Sequence, residues 1–207
     1  MSIRVKICGL RDPETAIQAA HFGADALGLV FYEPSPRHLS IELARSIALA
    51  IPPFITRVGL FVDAPSDYVQ SVLKGVPLDL LQFHGNETPE YCSSFNTPYI
   101  KAVRVRPGLD LVKYCQIYCQ ARGLLCDAYV EGTPGGTGAG FDWSLIPDNL
   151  PLPLILSGGL DPENVATAVS KVRPWAVDVS SGVEKSKGVK DLAKIEAFIA
   201  GAKNAPK

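Results

Sequence analysis

The sequence has no excess of charge of either sign. Its 207 residues include 20 Lys and Arg against 21 Asp and Glu, and no basic run is longer than a few residues. Proteins that bind nucleic acids or membrane surfaces usually carry a basic patch or stripe. We therefore expect neither a nucleic-acid partner nor a membrane partner, and an anionic ligand would have to be bound by local groups.

Long apolar runs and a leader segment are also missing. A membrane-spanning helix needs roughly 18 or more consecutive apolar residues, and no stretch of the chain approaches that length. Residues 1–6 contain no apolar leader core. A cytoplasmic location is the expectation.

Paired cysteines are missing as well. The five cysteines form an odd set without C-x-x-C spacing, which indicates neither a disulfide framework nor a structural zinc site. We expect no metal and reduced thiols. The five residues are Cys8, Cys92, Cys115, Cys119 and Cys126.

The chain does contain enough apolar material for a continuous core. Apolar residues make up 47% of the sequence and charged residues 20%, a composition typical of globular proteins rather than disordered ones. No linker rich in Pro, Gly or Ser divides the chain, and its length lies in the range of one domain. We expect residues 1–207 to form a single catalytic domain.

Short β-rich runs alternate with helix-like segments along the whole chain. Several runs, such as residues 26–31, are apolar at nearly every position, which favours strands buried on both faces and therefore a parallel sheet. Eight such strands in a chain of this length close most economically as a (β/α)8 (TIM) barrel of the α/β class, with an open doubly wound sheet as the alternative. The runs are 3–8, 25–31, 56–62, 78–83, 98–104, 124–130, 152–157 and 175–180.

Several helix starts are marked by a residue that can cap a helix. Asp12, Thr88 and Asp161 each precede a proline, whose missing N–H costs nothing in the first helical turn. Ser40 is a further candidate cap.

Glycines follow the last two predicted strands. In a (β/α)8 barrel the active site lies at the carboxyl ends of the strands, and phosphate commonly binds after strands seven and eight. Gly158, Gly159 and Gly182 can expose backbone N–H groups there beside helix starts, which favours a phosphate monoester as ligand. The alternative is that these glycines only permit tight turns.

Two strand ends offer groups for acid–base chemistry. Cys8 precedes a glycine at the end of the first strand, and its thiolate can act as a base if a neighbouring positive charge lowers its pKa. Asp127 lies in an otherwise apolar strand, where burial raises a carboxyl pKa and suits a general acid. The alternatives are a buried apolar thiol and a carboxylate that anchors a loop. Asp178 in the eighth strand allows the same two interpretations.

Two loops complete the set of candidates. The glycine-rich segment 132–140 lacks a Walker lysine and the G-x-G-x-x-G spacing, so we interpret it as a covering loop rather than a nucleotide site. Arg37 follows the second strand in a loop stiffened by Pro34 and Pro36 and can bind a carboxylate or stack on a ring, although alone it would be an ordinary exposed arginine. Cys115 and Cys119 are expected to pack along one helix.

Taken together, the motifs resemble those of the phosphoribosylanthranilate isomerase family. Each motif is unspecific alone, but the ordered set, which runs from residue 5 to about residue 200, is specific. The segments that carry the resemblance are Lys6-Ile7-Cys8-Gly9-Leu10, Ser35-Pro36-Arg37, Gln82-Phe83-His84-Gly85, Gly135-Gly136-Thr137-Gly138, Phe141-Asp142-Trp143, Ser157-Gly158-Gly159-Leu160 and Asp178-Val179-Ser180-Ser181-Gly182-Val183-Glu184.

The resemblance implies a cofactor-free and metal-free Amadori rearrangement in tryptophan biosynthesis. The substrate would be N-(5′-phosphoribosyl)anthranilate and the product 1-(2-carboxyphenylamino)-1-deoxyribulose 5-phosphate. It implies Asp127 as the general acid at the ring oxygen and Cys8 as the general base at C2′. A monomer is expected rather than a homodimer.

The resemblance also implies a set of substrate contacts. Arg37 would hold the anthranilate carboxylate or ring, and Asp178 and His84 would be further contacts. The phosphate would bind to the backbone amides of Gly158, Gly159, Ser180, Ser181 and Gly182.

Two rival functions stay open. One is a related aminoaldose–ketose isomerase of histidine biosynthesis, or a dual-substrate version, but such an enzyme is expected to use two carboxylates where this chain offers Cys8 on its first strand. The other is a phosphosugar-binding barrel that has lost catalysis. The presence of both Cys8 and Asp127 argues against it.

Overall fold

A computed structural model describes residues 3–128 and 142–206 of the chain. Eight strands form the barrel: β1 (Arg4–Cys8), β2 (Ala26–Val30), β3 (Thr56–Phe61), β4 (Leu80–Phe83), β5 (Tyr99–Val105), β6 (Leu124–Ala128), β7 (Leu154–Leu156) and β8 (Ala176–Val179). The helices are α1 (Pro13–His21), α2 (Ile41–Ala50), α3 (Ser66–Gly75), α4 (Pro89–Ser93), α5 (Leu111–Ile117), α6 (Val165–Val172) and α7 (Leu192–Lys203). Within the described ranges, no helix is long and apolar enough to cross a bilayer.

The sheet closes on itself. Each strand from β1 to β8 pairs with the next, and β8 pairs in parallel with β1, in the register Lys6 to Asp178. The prediction of a (β/α)8 barrel is therefore confirmed, and the open doubly wound sheet is excluded. Every strand of the barrel lies inside its predicted run except for Val105, which extends β5 by one residue.

Alternation along each strand separates the barrel interior from the layer of helices. On β6, Leu125 belongs to a small apolar cluster inside the barrel with Ile100 and Ile155, whereas Cys126 packs in an outer cluster with Leu111. Since side chains two residues apart share a face, Asp127 points inward. Its polar group therefore lies above the apolar floor, at the carboxyl end of the barrel.

Three predicted helix starts are confirmed by their side-chain caps. The carboxylate of Asp12 accepts from the Thr15 amide at 2.7 Å, and the hydroxyl of Ser40 accepts from the Leu43 amide at 3.2 Å. Thr88 accepts from the Tyr91 amide at 3.3 Å. Each cap satisfies an N–H that the first turn of a helix leaves free.

The fourth start is shifted along the chain. Asp161 accepts from the amides of Glu163 and Asn164 at 2.8 and 2.9 Å, but α6 begins only at Val165. The carboxylate closes a local turn, which places the helix start later than the Asp-Pro pair predicts.

A short hairpin follows the eighth strand and was not predicted. Its strands are β9 (Glu184–Ser186) and β10 (Val189–Lys190), which pair antiparallel after a 3-10 turn at Ser181–Val183. Strands of two or three residues that carry several charged side chains are too short to show a period of two. The hairpin brings Glu184 and Lys190 to the rim of the barrel.

We predict that Gly28→Ala destabilises the protein by about 1–3 kcal/mol, the usual cost of overpacking. A Cβ at Gly28 on β2 would lie 2.7 Å from the Cys8 Sγ and 3.0 Å from its Cα. Backbone atoms cannot move aside as the end of a flexible side chain can. The free energy of unfolding from urea titration measures the loss.

Gly59→Ala on β3 is the matched control, because its Cβ would first meet Leu78 Cδ1 at 2.5 Å, the flexible end of a side chain. We expect a smaller loss for this variant. An equal or larger loss at Gly59 would contradict the assigned cause.

Candidate active site

A cavity of about 670 Å³ opens at the carboxyl ends of the barrel strands. All ten residues that the sequence singled out for the site lie in its wall. They are Cys8, Arg37, His84, Asp127, Gly158, Gly159, Asp178, Ser180, Ser181 and Gly182. Residues from strands on every side of the barrel therefore meet around one space.

Asp127 is buried and bonded through both carboxylate oxygens. Its Oδ1 accepts from the Ala128 amide at 2.9 Å, and its Oδ2 lies 3.1 Å from the Nε2 of His84. The Gln82 amide nitrogen lies 3.0 Å from the Nδ1 of the same imidazole. With that amide donating to Nδ1, the His84 proton lies on Nε2 and points at Asp127. Gln82, which the sequence did not single out, thus orients the partner of the candidate acid.

Cys8 ends β1 with its thiol buried in the cavity wall. Burial raises the pKa of this thiol, the positive charges of Lys6 and Lys190 oppose the rise, and the carboxylate of Asp178 adds to it. The sequence made a thiolate base conditional on a neighbouring cation that lowers this pKa. The cations are present, but burial outweighs them, so the net shift of the pKa is upward.

Asp178 forms a buried ion pair with a lysine from the same barrel layer. The Lys6 Nζ donates to the Asp178 Oδ1 at 2.7 Å, and the Ser157 hydroxyl donates to Oδ2 at 3.3 Å. Burial alone would lower the pKa of Lys6, but the charges of Asp178 and Cys8 outweigh it and raise that pKa. Lys6 therefore carries its charge beneath the cavity floor, next to the candidate base.

Arg37 is buried rather than exposed, which corrects the interpretation of this arginine taken alone. Its Nε and Nη2 donate to the two carboxylate oxygens of Glu184 at 2.7 and 2.9 Å. A Cβ at Gly9 would lie 2.5 Å from the Arg37 Cδ, so the side chain crosses directly over the residue that follows Cys8. The guanidinium is thereby fixed beside the candidate base.

Glu184 is the centre of a cluster that also includes Lys190. The Lys190 Nζ donates to Oε1 at 3.0 Å, and the Gly188 amide donates to Oε2 at 3.0 Å. Burial opposes the charged form, but Arg37 and Lys190 outweigh it and hold the pKa of Glu184 at about 2. Burial lowers the pKa of Lys190, and Glu184 opposes that fall. We call Arg37, Glu184 and Lys190 the rim cluster.

The loops after β7 and β8 lie against each other. Gly158 and Gly159 have φ values of +80° and +67°, which side-chain-bearing residues rarely adopt. A Cβ at Gly182 would lie 1.9 Å from the Leu160 carbonyl oxygen, so only glycine permits this approach. Within residues 3–128 and 142–206, the backbone amides of Gly158, Gly159, Ser181 and Gly182 have no acceptor. Such clustered free donors are suited to bind an anion, which makes these loops a candidate anion site.

The predictions for Cys115 and Cys119 and for the glycine-rich segment have different outcomes. Cys115 packs in the core as expected, but Cys119 is exposed, because α5 ends at Ile117 and Cys119 follows it. The glycine-rich segment 132–140, predicted to cover the site, lies outside the described residues.

The fold and this site define the class of protein: a (β/α)8 barrel in which a candidate acid, a candidate base and a cluster of free backbone amides surround one cavity at the carboxyl end. The family model for N-(5'-phosphoribosyl)anthranilate (PRA) isomerase matches residues 5–201. The chain therefore belongs to the phosphoribosylanthranilate isomerase family, and the resemblance seen in its motifs is confirmed.

Individual relatives agree with this assignment. An N-(5′-phosphoribosyl)anthranilate isomerase of Nitrosospira multiformis is 58% identical over 201 residues, which cover 97% of each chain. A solved phosphoribosyl anthranilate isomerase in complex with reduced 1-(o-carboxyphenylamino)-1-deoxyribulose 5-phosphate is 42% identical, with a TM-score of 0.86 over 97% of this chain and 98% of that one. A solved structure of monomers generated from the dimeric enzyme of Thermotoga maritima is 40% identical, with a TM-score of 0.85 over the same shares.

We predict that Glu184→Gln makes the free energy of unfolding less sensitive to acidic pH. The pKa of Glu184 falls from 4.5 to about 2 on folding, so its contribution is present above pH 4.5 and is lost as pH falls toward 2. Between pH 6 and pH 3 the wild type should lose about 2 kcal/mol through this group, and the variant should not. Urea titration at both pH values measures the difference.

Glu196→Gln, at an exposed position on α7, is the matched control and should keep the wild-type pH dependence. An acid-induced loss in Glu184→Gln as large as in the wild type would contradict the role given to the rim cluster.

Proposed function

We propose that this chain catalyses the Amadori rearrangement of N-(5′-phosphoribosyl)anthranilate, a step of tryptophan biosynthesis, with residues 1–207 acting as one catalytic barrel. One observation carries the proposal: Cys8 on β1, Asp127 on β6 and the free amides after β7 and β8 all line the same cavity. These groups correspond to a base, an acid and a phosphate site. The family of the chain agrees with this assignment.

Asp127 and Cys8 divide the proton transfers between them. With the phosphate held by the loop amides, Asp127 gives its proton to the furanose ring oxygen, the bond from that oxygen to C1′ breaks, and a Schiff base forms. The Cys8 thiolate then takes the proton from C2′, and the electron pair of that bond gives an enolamine. Tautomerisation of the enolamine gives the ketose. The carboxylate and the thiol return to their starting forms by proton exchange.

The side of the cavity opposite the phosphate loop suits an aromatic substituent, because apolar side chains line it. Val30, Leu60 and Val62 line it, and β3 lies across the barrel from β7 and its phosphate loop. Glu184 engages the Nε and Nη2 of Arg37, which leaves Nη1 and the guanidinium face for the anthranilate carboxylate or ring. Asp178 and His84 complete the wall between these two ends.

We predict that Cys8→Ser and Asp127→Asn each lower turnover by a factor of about 10² to 10⁴, the usual contribution of a general acid or base. The loss of substrate fluorescence follows the reaction directly. Phosphate-ligand binding should persist in both variants, because neither residue contributes the free amides. Cys119→Ser, at an exposed thiol outside the cavity, should turn over like the wild type.

The same assay separates the rival functions. Turnover of only the histidine-pathway aminoaldose would replace the proposed substrate, and turnover of both compounds would indicate a dual-substrate enzyme. Ligand binding without turnover by the wild type would indicate a binding protein. Wild-type rates in Cys8→Ser or Asp127→Asn would reject the stated roles.

We predict a bell-shaped dependence of kcat/KM on pH. The base must be a thiolate while the acid still carries its proton, so the rate falls toward both low and high pH. Burial raises the pKa of the Cys8 thiol and so lowers the fraction of thiolate at neutral pH. The two limbs belong to the coupled site. A rate that stays constant toward both ends of the pH range in which the protein is folded would contradict this acid–base pair.

We also propose a phosphorylated small molecule as ligand and a monomeric state. The complex solved for a relative contains such a ligand, whereas another relative is described as dimeric. The monomeric state and the cytoplasmic location stay predictions.

A further inference from the structure

The hairpin after β8 contributes a buried cation that sequence analysis missed. The Lys190 side chain is 2% exposed, and its Nζ donates to the Ser180 carbonyl oxygen at 2.9 Å. It also lies 3.4 Å from the Ser180 hydroxyl oxygen and 3.0 Å from the Glu184 Oε1. Lys190 therefore lies directly behind the loop that begins at Ser180.

The buried charges around this loop do not cancel. Arg37 and Lys190 share the single carboxylate of Glu184. Beneath them Lys6 and Asp178 form a balanced pair. Among these five described side chains the formal charges leave one positive charge in excess, and a buried charge without a counter-charge is costly. A surplus of this sign is compensated when an anion binds nearby.

Peptide geometry links Lys190 to the free amides. The peptide bond between Ser180 and Ser181 is trans, so its C=O and N–H groups point in opposite directions. Because the Ser180 carbonyl is turned toward Lys190, the Ser181 N–H is turned away from it. Ser181 lines the cavity, and its amide has no acceptor among the described residues.

We propose that Lys190 is a positioning residue for phosphate, which holds the Ser180–Ser181 peptide with its N–H toward the cavity and supplies the surplus positive charge. The inference builds on the proposed function, because it assigns a further residue to the phosphate end of the same site. Lys190 itself lies behind the loop and is not part of the cavity wall.

An alternative source of phosphate affinity exists on the same hairpin. Lys185 and Lys187 are exposed and line the cavity, so their ammonium groups can reach an anion directly. Under that alternative, Lys187 or Lys185 sets the affinity and Lys190 only stabilises the hairpin. The two explanations differ in which variant should lose phosphate affinity.

Calorimetric titration with inorganic phosphate tests the proposal on the full chain. Lys190→Met should weaken phosphate binding about tenfold or more, since it removes a hydrogen bond from a charged donor together with the surplus charge. Lys190→Arg should stay within about threefold of the wild type, because it keeps both. Lys171→Met, at an exposed lysine on α6, is the control for net charge and should bind like the wild type.

Kinetics provide a second reading that a structural role alone would not give. In Lys190→Met the KM for the phosphorylated substrate should rise by about the same factor as the phosphate Kd, with a smaller change in kcat. If Lys190→Met does not fold, Lys190→Gln takes its place, because it keeps a donor for the Ser180 carbonyl and removes the charge. It should bind phosphate more weakly than Lys190→Arg.

Wild-type phosphate affinity in Lys190→Met would overturn the proposal, as would a loss in Lys187→Met that Lys190→Met does not show. Failure of Lys190→Arg to restore binding would also overturn it. Phosphate binding needs no turnover, so a wild-type protein inactive on phosphoribosylanthranilate would reject the proposed function and leave this test intact.

Discussion

The site depends on one buried carboxylate, that of Glu184. Arg37 and Lys190 come from different loops, and each would be an isolated buried cation without it. By binding both, Glu184 fixes the guanidinium over Gly9, beside Cys8, and holds the ammonium against the Ser180 carbonyl. The proposed substituent end and the proposed phosphate end of the cavity are therefore joined through a single group.

This arrangement combines buried charge with preorganisation. Taking three charged groups out of water costs free energy, and their attraction outweighs the effect of burial at Glu184 but not at Lys190. As a result, the hydrogen-bond donors are already in position before a ligand binds, so binding needs little reorganisation. Burial also disfavours the thiolate of Cys8, the proposed base, and thereby makes that thiolate a stronger base once it forms.

Much of the fold could be predicted because parallel strands buried on both faces produce continuous apolar runs. Runs such as 26–31 marked the strands, and the polar residues at their ends marked the site, since all strand ends of a barrel meet at one rim. His84 and Asp127 were both identified in this way. Their mutual contact follows from the closure of the barrel.

The parts of the site that could not be predicted depend on contacts between segments that are distant in sequence. Glu184 stood at the end of a recognised motif, but its pairing with Arg37, 147 residues away, has no local signal. Lys190 lies in a strand of two residues, too short to show alternation. The direction of the Cys8 pKa shift could not be predicted, because the burial of the thiol depends on packing by the neighbouring strands. Adjacent cations alone could not decide it.

The central claim is that Cys8 and Asp127 act on the same sugar from two sides. The most direct measurement is a crystal structure of this protein with the reduced product analogue bound. We expect C2′ at about 3.5 Å from the Cys8 Sγ, the sugar oxygen derived from the ring within hydrogen-bond reach of Asp127, and the phosphate on the amides of Gly159 and Gly182. A complex with C2′ next to another basic group, or with Asp127 turned away from the sugar, would contradict the account.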